Sequence, residues 1–296
     1  LGGFGGTISG FVTSLFHMSC AKGLSGFTSD NVVPFGGGRK LNIQLENWQL
    51  LRCGDPSMMP TRRPLMSITA SIYHLTHYKY DRPVLLGPQS IRLRPAPHSR
   101  TRVISHSLTV SPSAHFVNHQ QDPYGNWLAR FVFPEPVQEL KIEVDLVADM
   151  SVYNPFDFFV EDSAKDYPFS YDDDIAPDLS IYLRAEPVGP LLQKFMSTVP
   201  RDKMVTIDFL VMMNGRLASE INYEIRMEPG MQTAEETLGR RAGSCRDTSW
   251  LLVQVLRNLG LAARFVSGYL IQLKPDLVAI DGPPGTDKDF TDLHAW

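Results

Sequence analysis

The sequence predicts an α+β protein, with an antiparallel β-rich N-terminal half followed by a unit in which helices pack on an antiparallel sheet. Three observations predict it. Between residues 67 and 150 apolar residues recur at every second position, the period of a strand with one buried face. Beyond residue 200 the spacing becomes helical and is bounded by cap residues. The 22 Gly and 22 Pro among 296 residues place turns between short elements throughout. Hydrophobic residues at 43 % and charged residues at 20 % exclude a collagen, a coiled coil and a wholly disordered chain. The net charge of −4 and pI near 6.1 lack the basic excess of a nucleic-acid binder. Three Cys with no CxxC spacing exclude a disulfide framework and a zinc ribbon. No run of 18 apolar residues occurs, so no membrane span and no membrane partner are expected.

Four segments are expected. Residues 1–65 form a disordered or spurious extension: the first 40 hold ten Gly, and their apolar residues keep neither period. Residues 66–150 form the β-rich domain. In it Ile68, Ala70, Ile72, Tyr78 and Tyr80 share one parity, as do Ile91 and Leu93, then Ile104, Leu108 and Val110. The turn Asp122-Pro123-Tyr124-Gly125-Asn126 leads to Trp127, Ala129, Phe131 and Phe133 on one face. Leu140, Ile142, Val144 and Leu146 then alternate with charged residues. Residues 151–200 form a linker punctuated by Pro, with one short helix from Leu191 to Ser197. Residues 201–296 form the second unit. It ends at Asp292-Leu293-His294-Ala295-Trp296 with no turn or cap, which predicts a strand cut in mid-course and a longer native protein.

Metal and calcium sites find little support. His74 and His77, three apart on a strand, point to opposite faces and cannot share an ion. His115 and His119 lack a third ligand. Asp172-Asp173-Asp174 lacks the alternation of a calcium loop and reads as a solvated acidic turn. No cofactor and no metal are expected.

The second unit carries the chemistry. Residues 206–218 suit a helix, and Ile221, Tyr223, Ile225 and Met227 alternate as a strand. Thr233 and Glu236 form a capping box for a short helix that Gly239 or Gly243 ends. Ser244 and Asp247 form a second capping box, followed by Leu251, Leu252, Val255, Leu256 and Leu259 at helical spacing and a C′ glycine at Gly260. Cys245 therefore lies in the first turn of a buried helix, where the positive end of the dipole lowers a thiol pKa. A Cys so placed is either a nucleophile or a small buried residue. A strand over Ala262 to Leu273 follows, and then a polar loop. On the final strand Asp292 and His294 share a parity. A His on a strand after a Cys at a helix start is an arrangement suited to thiol catalysis, although a lone His is also often a packed, hydrogen-bonded imidazole.

The run Gly243-Ser244-Cys245-Arg246-Asp247, continuing through Leu259-Gly260-Leu261-Ala262-Ala263-Arg264-Phe265-Val266-Ser267-Gly268-Tyr269, resembles the core of the bacterial transglutaminase-like superfamily. Asp292-Leu293-His294-Ala295-Trp296 resembles its His motif. Tyr73-His74, Tyr78-Lys79-Tyr80, Arg92-Leu93-Arg94-Pro95 and Asp122 to Asn126 resemble the β-rich domain that precedes this core in many members. The resemblance implies a papain-like transglutaminase core in which Cys245 is the nucleophile and His294 the general base and then acid. It also implies a third, orienting Asp on the next strand, beyond Trp296, so that the core as given is incomplete and its turnover negligible. The first guess for an oxyanion donor is the Cys245 backbone N–H.

The expected function is cysteine-dependent acyl chemistry on a peptide or protein substrate through a thioester on Cys245. Water as acceptor, giving an amidase or protease, is favoured over an amine, giving a transglutaminase. The alternative is a non-catalytic binding or assembly module on the same fold. A functional thiol without a signal sequence suggests the cytoplasm.

Overall fold

In a computed structural model, the structure describes residues 32–35, 39–42, 68–97, 99, 101–150, 158–226, 228–272 and 288–296. The expected 1–65 extension falls outside these, apart from strands β1 (Val32–Phe35) and β2 (Arg39–Asn42), which pair as an antiparallel hairpin. Cys20 and Cys53 also lie outside them.

The β-rich half is built from two three-stranded antiparallel sheets. The first has the order β3 (Ile68–Val84), β8 (Val137–Met150), β5 (Arg102–Ser111). The second has the order β4 (Gln89–Ile91), β7 (Trp127–Val132), β6 (Phe116–Gln121). Alternation sets the faces. Ala70 and Ile72 stand opposite Ala148 and Leu146, and all four are buried. Ile91, Val110, Ala129, Phe131, Phe133, Val137, Leu140 and Ile142 form one core between the sheets. Ile104 departs from its expected stripe and is 54 % exposed. The pairing of β5 with β8 shifts between Val103 and Ser105, and that irregularity turns Ile104 outward. At the 122–126 turn the Asp122 carboxylate accepts from the main-chain N–H groups of Tyr124 and Asn126, and Gly125 takes φ 77°.

The segment expected as a linker is more structured than its Pro content suggested. It holds a 3-10 turn at Asp162–Ala164, strand β9 (Asp166–Tyr167), helix α1 (Ser180–Leu183) and helix α2 (Pro190–Ser197). Strand β9 pairs with β10 (Met204–Val205), and helix α3 (Thr206–Glu220) follows. Tyr167, fully buried, stacks on Phe209 of α3 with ring centroids 3.7 Å apart.

Strand β11 is confined to Asn222–Tyr223, parallel to β12 (Ala242–Gly243). The expected strand from Ile221 to Met227 is thus corrected, because from Glu224 onward the backbone turns to meet the next helix instead of a partner strand. Helix α4 (Ala234–Arg240) has the Thr233–Glu236 capping box, but neither expected glycine ends it. Arg241, at φ 52°, takes the left-handed cap. Helix α5 (Cys245–Asn258) runs through the second core, where Leu251, Leu252, Val255 and Leu256 meet Leu192, Phe195, Phe209, Met213 and Leu217. Gly260, at φ 82°, closes it: its N–H bonds to Arg257 O, and Leu261 N–H bonds to Leu256 O. The strand expected from residue 262 begins later, as β13 (Ser267–Gln272), which pairs antiparallel with β14 (Phe290–Ala295).

Two contacts join the β-rich half to this unit. Arg264 donates to Asn126 Oδ1 at 2.8 Å, and Tyr124 meets Tyr182 edge-on. The Tyr269 hydroxyl lies 3.0 Å from His74 Nδ1.

Candidate active site

The start of α5 is held by an unusually complete set of hydrogen bonds. Asp247 is fully buried. Its carboxylate accepts from the Ser244 N–H and hydroxyl at 2.9 and 2.7 Å, closing the expected cap. It also accepts from the Gln232 N–H at 2.8 Å and from Arg226 Nε and a terminal nitrogen, each at 2.9 Å. These donors hold its carboxyl far below the usual range, against the opposing effect of burial. A Cβ on Gly243 would stand 2.9 Å from the Asp247 Cβ, so the approach of β12 to α5 depends on that glycine.

Cys245 is a free, partly buried thiol in the first turn. Burial pushes it above its ordinary value. The main-chain N–H groups of Ala295 and Arg246 bond to the sulfur and pull the other way, while the Asp292 carboxylate adds to the rise. The expectation of a lowered thiol pKa is therefore corrected: desolvation outweighs the donors at the helix start.

Strand β14 lies against this helix. Ser249 of α5 donates to Ala295 O at 3.1 Å, and Trp296 exchanges both main-chain hydrogen bonds with Val266. The register sets His294 opposite Gly268 and Asp292 opposite Leu270. The Trp296 indole occupies the space over Gly268, where a Cβ would come within 3.2 Å of it, and the indole stands 6.0 Å from the His294 ring. Burial raises the Asp292 carboxyl, and its Oδ1 accepts from the Leu293 N–H.

The structure thus brings Cys245 to the strand that carries Asp292 and His294, with Ala295, the neighbour of His294, bonded to the sulfur. The imidazoles set aside as metal ligands go elsewhere. His74 is buried and bonds Thr76 and Tyr269, His77 meets Glu139, and His115 bonds Pro112 O. Among the described residues no group of three His, Cys, Asp or Glu could hold a metal ion. No helix among them is long and apolar enough to cross a membrane. Arg226 was missed in the sequence, because its partner lies on another element and no spacing marks it.

Helix α5 and strand β14 define the class, an α+β protein that sets a helix-borne thiol against a strand carrying a histidine. Residues 70–149 match the bacterial transglutaminase-like N-terminal region, and residues 197–296 match the transglutaminase-like superfamily core. The chain belongs to the transglutaminase-like superfamily, and cysteine-based catalysis is supported at that level. Uncharacterised proteins of Mycobacterium tuberculosis and Mycobacterium bovis are similar to it, at 26 % identity over 231 residues, covering 76 % of this chain and 71 % of each relative. A crystal structure from Cytophaga hutchinsonii, provisionally assigned as a cysteine protease, covers 77 % of this chain and 71 % of its own, with TM-score 0.49 and 16 % identity.

Proposed function

We propose that this chain cleaves peptide or amide bonds by acyl transfer to Cys245, with His294 as general base and then acid. The observation that carries the reading is the hydrogen bond from Ala295, next to His294, to the Cys245 sulfur at a capped helix start. In the first half-reaction His294 takes the thiol proton, and the sulfur attacks the substrate carbonyl carbon. The main-chain N–H at the start of α5 faces the developing oxyanion. His294 returns the proton to the leaving amine as the C–N bond breaks, which leaves a thioester. In the second half, His294 deprotonates water, which attacks the thioester and releases the acid and the thiol. A partly exposed thiol favours water over an amine, since amine transfer requires water to be kept out. Asp292 is not given the orienting role, because its carboxyl is raised by burial and its charge opposes the thiolate.

The test uses p-nitrophenyl acetate as acyl donor, and casein as amide substrate with and without a dansylated amine. The expected result is a hydroxylamine-sensitive acyl group on Cys245, lost in Cys245→Ala, and new amino termini from casein. Dansyl incorporation without new termini would replace water by an amine as acceptor. No acyl group on Cys245 would leave a binding module in place of an enzyme.

A further inference from the structure

The carboxylate that caps α5 poses an electrostatic problem for the thiol beside it. Asp247 sits two residues from Cys245 on the same helical turn and is fully buried. An anion there opposes a thiolate, because two like charges in a desolvated turn raise each other's pKa. A capping Asp facing solvent would be screened. This one is not.

The Arg226 guanidinium meets it as a fork, Nε to one oxygen and a terminal nitrogen to the other, both at 2.9 Å. The Arg226 side chain is itself only 10 % exposed, and it also donates to Gly230 O at 2.7 Å. Arg246 closes the loop from outside by donating to the carbonyls of Arg226 and Glu228. Five donors therefore converge on one carboxylate, but only one of them carries a charge. The other charged or titratable groups at the thiol are Asp292 and His294 on β14 and Arg246 on α5 itself.

We propose that Arg226 is a positioning residue for Cys245: its fork cancels the charge of the Asp247 cap, so that the positive end of α5 stays available to the thiolate. This rests on reading Cys245 as the nucleophile. The cap gains a buried, rigid anion without presenting that anion to the sulfur. Neither a Ser cap alone nor an unpaired Asp does both.

The test is the pH dependence of iodoacetamide alkylation at Cys245 in the full chain, followed by peptide mass spectrometry so that Cys20 and Cys53 are read separately. Arg226→Gln is expected to raise the midpoint by about one pH unit, the size of an uncompensated charge in the same turn. Asp247→Asn is expected to lower it, because Arg226 is then unmatched. The double variant is expected to return to the wild-type value. Loss of structure alone would move both single variants the same way. Shifts of one sign, no shift in folded variants, or a double variant that keeps the Arg226→Gln shift would each overturn the proposal. If Arg226→Gln fails to fold, Arg226→Lys decides with Asp247→Asn: it keeps the charge without the fork, so its midpoint should match wild type, and a full-sized rise would overturn the proposal. Alkylation reports the thiolate and not turnover. An inactive protein that still shows opposed shifts would therefore refute the enzymatic reading and leave this one standing.

Discussion

The Tyr269 hydroxyl stands 3.0 Å from His74 Nδ1, and the two rings meet edge-on, which ties the partner strand of β14 to the N-terminal β-domain. His74 Nε2 is engaged by Thr76. Burial pushes the His74 imidazole below its ordinary value near 6.5. In the folded protein the neutral ring is favoured, so below that value the unfolded chain binds more protons. This contribution to stability is present above about pH 6.5 and is lost as pH falls from there toward the depressed native value. The urea midpoint of the wild type should therefore drop between pH 7.5 and 5, and the drop should be smaller in His74→Gln. An equal drop in both would refute the role of His74.

Tyr269→Phe removes the hydroxyl from this junction and leaves the His74 ring without that partner. A loss of about 1 kcal/mol in unfolding free energy is expected. Urea titration at pH 7.5 measures it, and an unchanged midpoint would show that the contact contributes nothing.

Asp292 and His294 separate by function. His294→Ala should abolish turnover of any substrate that acylates Cys245, since nothing else protonates the leaving amine. Asp292→Asn should cost much less. It should also lower the pH midpoint of Cys245 alkylation, because the Asp292 charge opposes the thiolate. If Asp292→Asn proved as damaging as His294→Ala, Asp292 would be the better candidate to orient the imidazole.

Gly243→Ala places a methyl 2.9 Å from the Asp247 Cβ. Backbone must move, and overpacking of this kind costs roughly 1–3 kcal/mol. The displaced cap should also slow Cys245 alkylation at pH 7. Gly87→Ala, where nothing lies within 4 Å, is the control expected to change neither. Thermal melts and alkylation rates on both variants check this.

Leu251→Ala empties a fully buried position where α5 meets α3. A loss of about 2–5 kcal/mol is expected, from transfer and cavity together. A melting temperature within a degree or two of wild type would mean that the cluster around α5 collapses to fill the space.

Local rules carried the sequence a long way. Strand parity put Ala129, Phe131, Leu140, Ile142, Val144 and Leu146 inside, since alternation fixes the face once one face is buried. The Ser244–Asp247 and Thr233–Glu236 boxes and Gly260 marked helix ends, because a cap is satisfied by neighbours within a few residues. The residues proposed for chemistry, Cys245 and His294, were legible for the same reason: each sits at a local landmark.

What the sequence could not contain is set by partners far along the chain. The alternation from Ile221 to Met227 is real, but only Asn222 and Tyr223 found a strand partner, while Arg226 left to meet Asp247. The stripe through Ile104 was broken by a register shift that depends on β8. The thiol pKa, expected to fall from the helix start alone, rises because burial by β14 and the charge of Asp292 exist only after folding. The chain by itself therefore determined which residues form elements and which faces are apolar, since these follow from spacing. Tertiary structure alone decided which buried charges meet, because desolvation and long-range pairing depend on distances in space that no interval along the chain encodes.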